Sequence, residues 1–154
     1  MATSDLVQYL SAKTDQVAAS NRRVTETFFA AADITAGDFV CFDTAASGGG
    51  ADRVLYVKPA DIDAVPTKQA IGVCLDTIDV SEVDDLRVQV VVKGYVEDAN
   101  VANAVAAAGT PLSVGSTAGR AVAYANSDTV APCAVALEAA ADNTADVYVI
   151  GLFS

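Results

Sequence analysis

The spacing of apolar and polar positions changes near residue 34. Beyond it, short apolar runs of strand length alternate with Gly, Pro, Asp and Ser. Asp38-Phe39-Val40-Cys41-Phe42 follows Ala36-Gly37 and leads to the Gly-rich turn Ser47-Gly48-Gly49-Gly50. Val54-Leu55-Tyr56-Val57 is closed by Lys58-Pro59, and Ala70-Ile71-Gly72-Val73-Cys74-Leu75 makes the next run. Leu86-Arg87-Val88-Gln89-Val90-Val91-Val92 alternates in its first half, as a half-buried strand does, and Gly94 is expected to end it. The Ala-rich stretch 99–108 stops at Gly109, with Pro111 just beyond. That fits a short helix or a loop. The pattern predicts a mainly all-β fold.

The runs recur in order. Ala36-Gly37-Asp38-Phe39-Val40 is echoed by Ala108-Gly109-Thr110-Pro111-Leu112, and Val54-Leu55-Tyr56 by Val122-Ala123-Tyr124. Ile71-Gly72-Val73-Cys74-Leu75 is echoed by Cys133-Ala134-Val135-Ala136-Leu137. An acidic or small-residue turn follows each, Asp76 to Asp79 and Glu138 to Asp142. A last Val-rich strand then closes each half, Val88 to Val91 and Val147 to Ile150. Each unit is too small to bury a face alone. The expectation is a small β-sandwich or β-barrel built from two similar halves, about 34–94 and 106–153, within one β-rich domain over 29–154.

Residues 1–28 differ. Lys13, Arg22 and Arg23 balance Asp5, Asp15 and Glu26, so this stretch is neutral. Leu6, Val7, Leu10 and Val17 are spaced loosely like one face of a short helix. The segment reads as an N-terminal arm that orders against another subunit or partner, or as a flexible tail. Leu6, Val7, Leu10, Val17, Arg22 and Arg23 are the candidate interface residues. For the Arg22-Arg23 pair, an ordinary solvated dibasic site is the plain alternative.

Charge narrows the partners. Nine Lys+Arg stand against 20 Asp+Glu, for a net charge of −11, all of it in residues 29–154. Such a body is poorly suited to nucleic acid or to an anionic membrane surface. No apolar run reaches the roughly 18 residues that a spanning helix needs. The start, Met1-Ala2-Thr3-Ser4-Asp5, lacks a signal-peptide pattern, so a soluble protein made in the cytoplasm is expected. The 31 Ala and 23 Val suit tightly packed sheets.

Candidate chemistry is sparse. The chain has no His and no Trp. Without His it lacks the commonest general base and the commonest metal ligand. Cys41, Cys74 and Cys133 are widely spaced and read as reduced, mostly buried thiols. Asp76, Asp79, Glu82, Asp84 and Asp85 cluster as oxygen ligands do. Val80 and Val83 interrupt them and the EF-hand pattern is absent, so a solvated acidic turn is the simpler reading. Ser47-Gly48-Gly49-Gly50 has no following Gly-Lys-Ser/Thr. Gly115-Ser116-Thr117-Ala118-Gly119 is not a nucleophile elbow, and its simplest use is a turn between strands. No catalytic residue, cofactor or metal site is expected, and the chain reads as a non-enzyme.

The C-terminal half carries a resemblance. Ala108 to Leu112, Gly119-Arg120-Ala121, Ala134 to Ala140 and Val147 to Leu152 together resemble phage capsid decoration proteins, also called head decoration or cement proteins. Ile71 to Leu75 and Val88 to Gly94 fit the same pattern, so the likeness covers roughly 34–153. The Asp-rich insert around 76–85 and the extended segment 1–28 depart from it. The resemblance implies a β-rich structural virion protein on the outer surface of a phage head. It implies a homotrimer that binds the major capsid protein, staples neighbouring capsid subunits and resists the pressure of packaged DNA. Many weak contacts made at once would supply the affinity. The competing expectations are another virion β-protein, such as a head fibre base, tail or spike component, and a cell-surface or carbohydrate-binding module.

Overall fold

The computed structural model describes residues 23–45, 52–63, 69–125 and 130–151. Among these residues nine strands form one sheet: β1 (Arg23–Ala30), β2 (Phe39–Phe42), β3 (Tyr56–Pro59), β4 (Gly72–Cys74), β5 (Arg87–Asn100), β6 (Pro111–Val114), β7 (Ala121–Ala123), β8 (Ala134–Ala136) and β9 (Thr144–Val149). The only other element among the described residues is a 3-10 turn at Asp52–Val54. The fold is all-β.

The sheet closes on itself twice. Its order is β1-β3-β2-β4-β5-β9-β8-β6-β7, and β1 also pairs with β5. The strands β1-β3-β2-β4-β5 therefore form a first closed ring. In the other direction β5 pairs with β9, and the order runs on through β8 and β6 to β7. A parallel bridge from Val101 to Ala121 returns β7 to the end of β5. That completes a second ring. Of the two architectures left open by the sequence, the pairings select the barrel.

The two rings are copies at the level of individual hydrogen bonds. Phe39 pairs with Val73 and Val40 with Gly72, just as Pro111 pairs with Val135 and Leu112 with Ala134. Ile71 donates its N–H to the Val40 carbonyl, and Cys133 donates to that of Leu112. Gly37 N–H reaches Cys74 O at 2.8 Å, and Gly109 N–H reaches Ala136 O at 2.8 Å. Both glycines have positive φ, 93° and 82°, a region that L side chains avoid. In each ring a parallel pair completes the circuit, Ala30 with Val57 and Val101 with Ala121.

This matching corrects the repeat in two places. Val57, Lys58 and Pro59 correspond to Ala121, Val122 and Ala123, because both trios face the same positions of β2 and β6. Val54 lies instead in the 3-10 turn and Leu55 just after it. Val90 corresponds to Val147, because they face Cys74 and Ala136.

Three boundaries also move. Gly94 does not end a strand. With φ at 113° it sits inside β5, which runs on to Asn100 and serves as the last strand of one ring and the first of the next. Residues 23–28, placed in the arm by charge balance, belong to β1 and pair with β5 from Arg23↔Gly94 onward. The Ala-rich stretch contains no helix: it is the end of β5, the Val101 bridge and a loop.

Each ring has its own core. Phe28, Ala30, Val40, Val57, Val88 and Val90 fill the first, with Phe42 edge-on to Phe28 at 6.1 Å. Ala99, Val101, Leu112, Ala134, Ala145 and Val147 fill the second. Burial of each such Val or Leu contributes roughly 1.5–3 kcal/mol. The alternate residues of the first ring's strands, Phe39, Cys41, Val73 and Val91, join the second ring's cluster. Successive strand residues face opposite sides, so these four form the outer face of the first ring, and the second ring covers it. The β6–β7 turn seals the joint. Phe39 donates its N–H to Gly119 O at 2.8 Å, and Gly119 donates to Ala60 O at 2.9 Å. Asn100 Nδ2 donates to Asp38 Oδ1 at 2.6 Å.

Candidate functional site

The structure places one candidate interface residue. Arg23 opens β1 and is half-buried opposite Gly94. Leu6, Val7, Leu10, Val17 and Arg22 lie outside the described residues.

The polar groups that suggested chemistry carry structural bonds. Asp76 Oδ2 accepts the Gln89 N–H at 2.6 Å. Asp79 accepts from the Ser81 N–H and hydroxyl, at 2.9 and 2.6 Å, which hold its carboxyl below the usual range. Asp85 accepts from Arg87 Nε at 2.9 Å and Nη2 at 2.7 Å. That bidentate pairing takes the exposed Asp85 carboxyl down to about 2. Among the described residues, no group of three or more Cys, Asp or Glu is arranged to hold a metal ion.

The thiols are core groups. Cys41, Cys74 and Cys133 are free and buried. Their Sγ atoms lie against the carbonyls of Lys58 at 3.5 Å, Asp76 at 3.4 Å and Leu112 at 3.5 Å. Burial pushes Cys41 and Cys74 up to about 11 and Cys133 up to about 12. A thiol that stays protonated at neutral pH is a weak nucleophile. Gly115 to Gly119 is the turn between β6 and β7 that the sequence suggested, and Arg120 N–H donates back to Thr117 O at 3.0 Å.

A small cleft of about 120 Å³ lies between Val24, Glu26, Val92, Lys93 and Gly151. Pockets for drug-sized ligands are usually about 300–1,000 Å³. No helix in the described residues is long and apolar enough to cross a membrane.

What the surface offers is apolar contact. Phe29 and Tyr56 stack at 5.6 Å on the outside of the first ring, where β1 and β3 run parallel, and Leu55 and Val54 extend the patch. On the second ring, Leu137, Tyr148 and Ile150 are exposed along β8 and β9. Beside them Tyr95 donates its hydroxyl to Asp146 Oδ2 at 2.6 Å, and that bond raises the tyrosine's pKa. Sequence reasoning missed both patches. Only the alternation of β9, with Tyr148 and Ile150 out of phase with the buried Val147 and Val149, signalled the second one.

No protein-family model matches the chain, and no curated protein does.

Proposed function

We propose that this chain is a structural binding protein that works through surface contact, and that its target is the outer surface of a phage head. On this reading it cements neighbouring major capsid subunits as a homotrimer and stabilises the particle against internal DNA pressure. The sequence motifs of the capsid decoration proteins carry the target. The described groups suited to chemistry support the contact reading, because their hydrogen bonds serve the fold: three buried thiols and the carboxylates of Asp76, Asp79 and Asp85. Closed rings suit the load, since closure joins the outer strands of each circuit, β1 to β5 and β7 to the end of β5.

The test is co-sedimentation of the purified full chain with expanded heads that lack decoration. Saturable binding to the particle, with a raised temperature of head disruption, is expected. Protein that stays in the supernatant at all concentrations overturns the proposal. Deleting residues 1–22 stops short of β1. It is expected to weaken binding while the β-body stays folded, read as an unchanged urea midpoint, and unchanged binding removes the arm from the mechanism.

A further inference from the structure

The duplication shows what covers one ring's outer face, because inside the chain the second ring covers the first. The second ring has the corresponding face, and part of it lies open: Ser113, the counterpart of Cys41, is buried and Val135 is half-buried, while the positions of Pro111 and Tyr148 are exposed. Pro111 stands where Phe39 does, Val135 where Val73 does, and Tyr148 where Val91 does. Phe39, Val73 and Val91 are at most 1% exposed, whereas Tyr148 is 40% exposed and Pro111 is also exposed. Leu75 packs against the second ring's cluster, while its counterpart Leu137 is 44% exposed.

The first ring supplies the other half. Inside the chain, Gly119 and Asn100 of the covering ring make the joint, to Phe39 and to Asp38. Their counterparts are Leu55 and Phe29, which are 44% and 38% exposed. The replacements agree across the two faces. The polar pair Asp38 and Asn100 becomes Thr110 and Phe29. The Phe39 N–H that Gly119 accepts has no equivalent at Pro111, which lacks a donor, and Leu55 stands in place of that glycine. A hydrogen-bonded internal joint thus has an apolar external image, with both halves displayed on one chain. Exposed Arg53 adjoins Val54 and Leu55, with half-buried Asp52 beside it, and exposed Glu138 adjoins Leu137. Of the eight large apolar side chains exposed among the described residues, six belong to these two patches.

We propose that the Leu137–Tyr148 face of one chain is the docking surface for the Phe29–Leu55 face of a second copy, head to tail, as a continuation of the internal ring-on-ring joint. The contact is heterologous, so it yields a closed cyclic ring if the rotation closes and a filament if it does not. Closure as the trimer above rests on the capsid reading, but the contact itself does not.

The experiment is sedimentation velocity on the full chain over a wide concentration range, with Leu55→Asp on one face and Tyr148→Asp on the other. Both positions are exposed, and Leu137→Asp provides a second variant of the Leu137–Tyr148 face. The natural chain is expected to associate as concentration rises. Each variant alone is expected to lose at least about tenfold in association constant. An equimolar mixture of Leu55→Asp and Tyr148→Asp keeps one intact pair of faces and is expected to form a 1:1 dimer that grows no further. A natural chain that stays monomeric throughout overturns the proposal. So do single variants that associate like the natural chain, or a mixture with no dimer. Association without head binding sinks the capsid reading alone, and head binding by a strict monomer sinks this contact and the trimer while leaving capsid binding standing.

Discussion

Asp76 Oδ2 accepts the backbone N–H of Gln89 at 2.6 Å, and the second ring repeats the bond between Glu138 Oε1 and the Asp146 N–H at 3.2 Å. Each carboxylate follows its ring's fourth strand and caps an amide of the closing strand that the ladder leaves unpaired. The first bond is shorter and its carboxylate is half-buried, so it contributes more. Asp76→Ala is expected to lower stability by about 1–2 kcal/mol, and Glu138→Ala by less. Urea midpoints measure both. An unchanged midpoint for Asp76→Ala shows that water replaces the carboxylate without cost.

The three thiols set an alkaline limit. Burial holds Cys41 and Cys74 protonated up to about 11 and Cys133 up to about 12. In the unfolded chain a thiol ionises near about 8.5. A raised folded value means that the stabilisation is complete below the unfolded value and is lost as pH rises through the folded one. The urea midpoint is therefore expected to be flat near neutrality and to fall from about pH 8.5 to about 12. At pH 8, a thiol reagent is expected to label all three cysteines only as fast as the chain unfolds. One equivalent of rapid labelling contradicts the burial of at least one.

Strand positions and the repeat were legible because both rest on local chemistry. Ala36-Gly37 and Ala108-Gly109 mark the same left-handed turn, and Ile71 to Leu75 and Cys133 to Leu137 mark the same strand. The role of Gly94 was not legible. A glycine after a Val run reads as a stop, and only the pairing of Gly94 with both Arg23 and Val149 shows that the strand passes from one ring into the next. The apolar patches were hidden for a related reason. Val91 and Tyr148 occupy matching strand positions, and whether a second layer covers them depends on tertiary packing. The arm's residues up to Arg22 offered no pattern that the described body could test.

Gly72 records how closely β4 and β5 approach. A methyl there would collide with the Val91 carbonyl oxygen and stand 2.8 Å from Val90 Cγ1. Its counterpart in the second ring is Ala134, which is fully buried without conflict. Gly72→Ala is expected to destabilise by about 1–3 kcal/mol through overpacking. The gain usually expected when glycine in a strand becomes alanine would not appear. A rise in melting temperature means that β4 can shift away from β5 at little cost.

The shared strand makes the two rings one cooperative unit. Val90 and Val92 belong to the first ring's core, while Val91 between them belongs to the second ring's cluster. Loss of either ring therefore strips one side of β5 and exposes buried valines of the other. Tyrosines report on both parts, Tyr56 in the first ring and Tyr95, Tyr124 and Tyr148 in the second, while far-UV dichroism reports on the whole sheet. Urea unfolding followed by tyrosine fluorescence and by dichroism is expected to give coincident single transitions. A chain ended after Gly94 would leave Phe39, Cys41, Val73 and Val91 uncovered, and it is expected to be unfolded or aggregated. Two separated transitions, or a folded monomer from that truncation, would show that the first ring holds its shape without its cover.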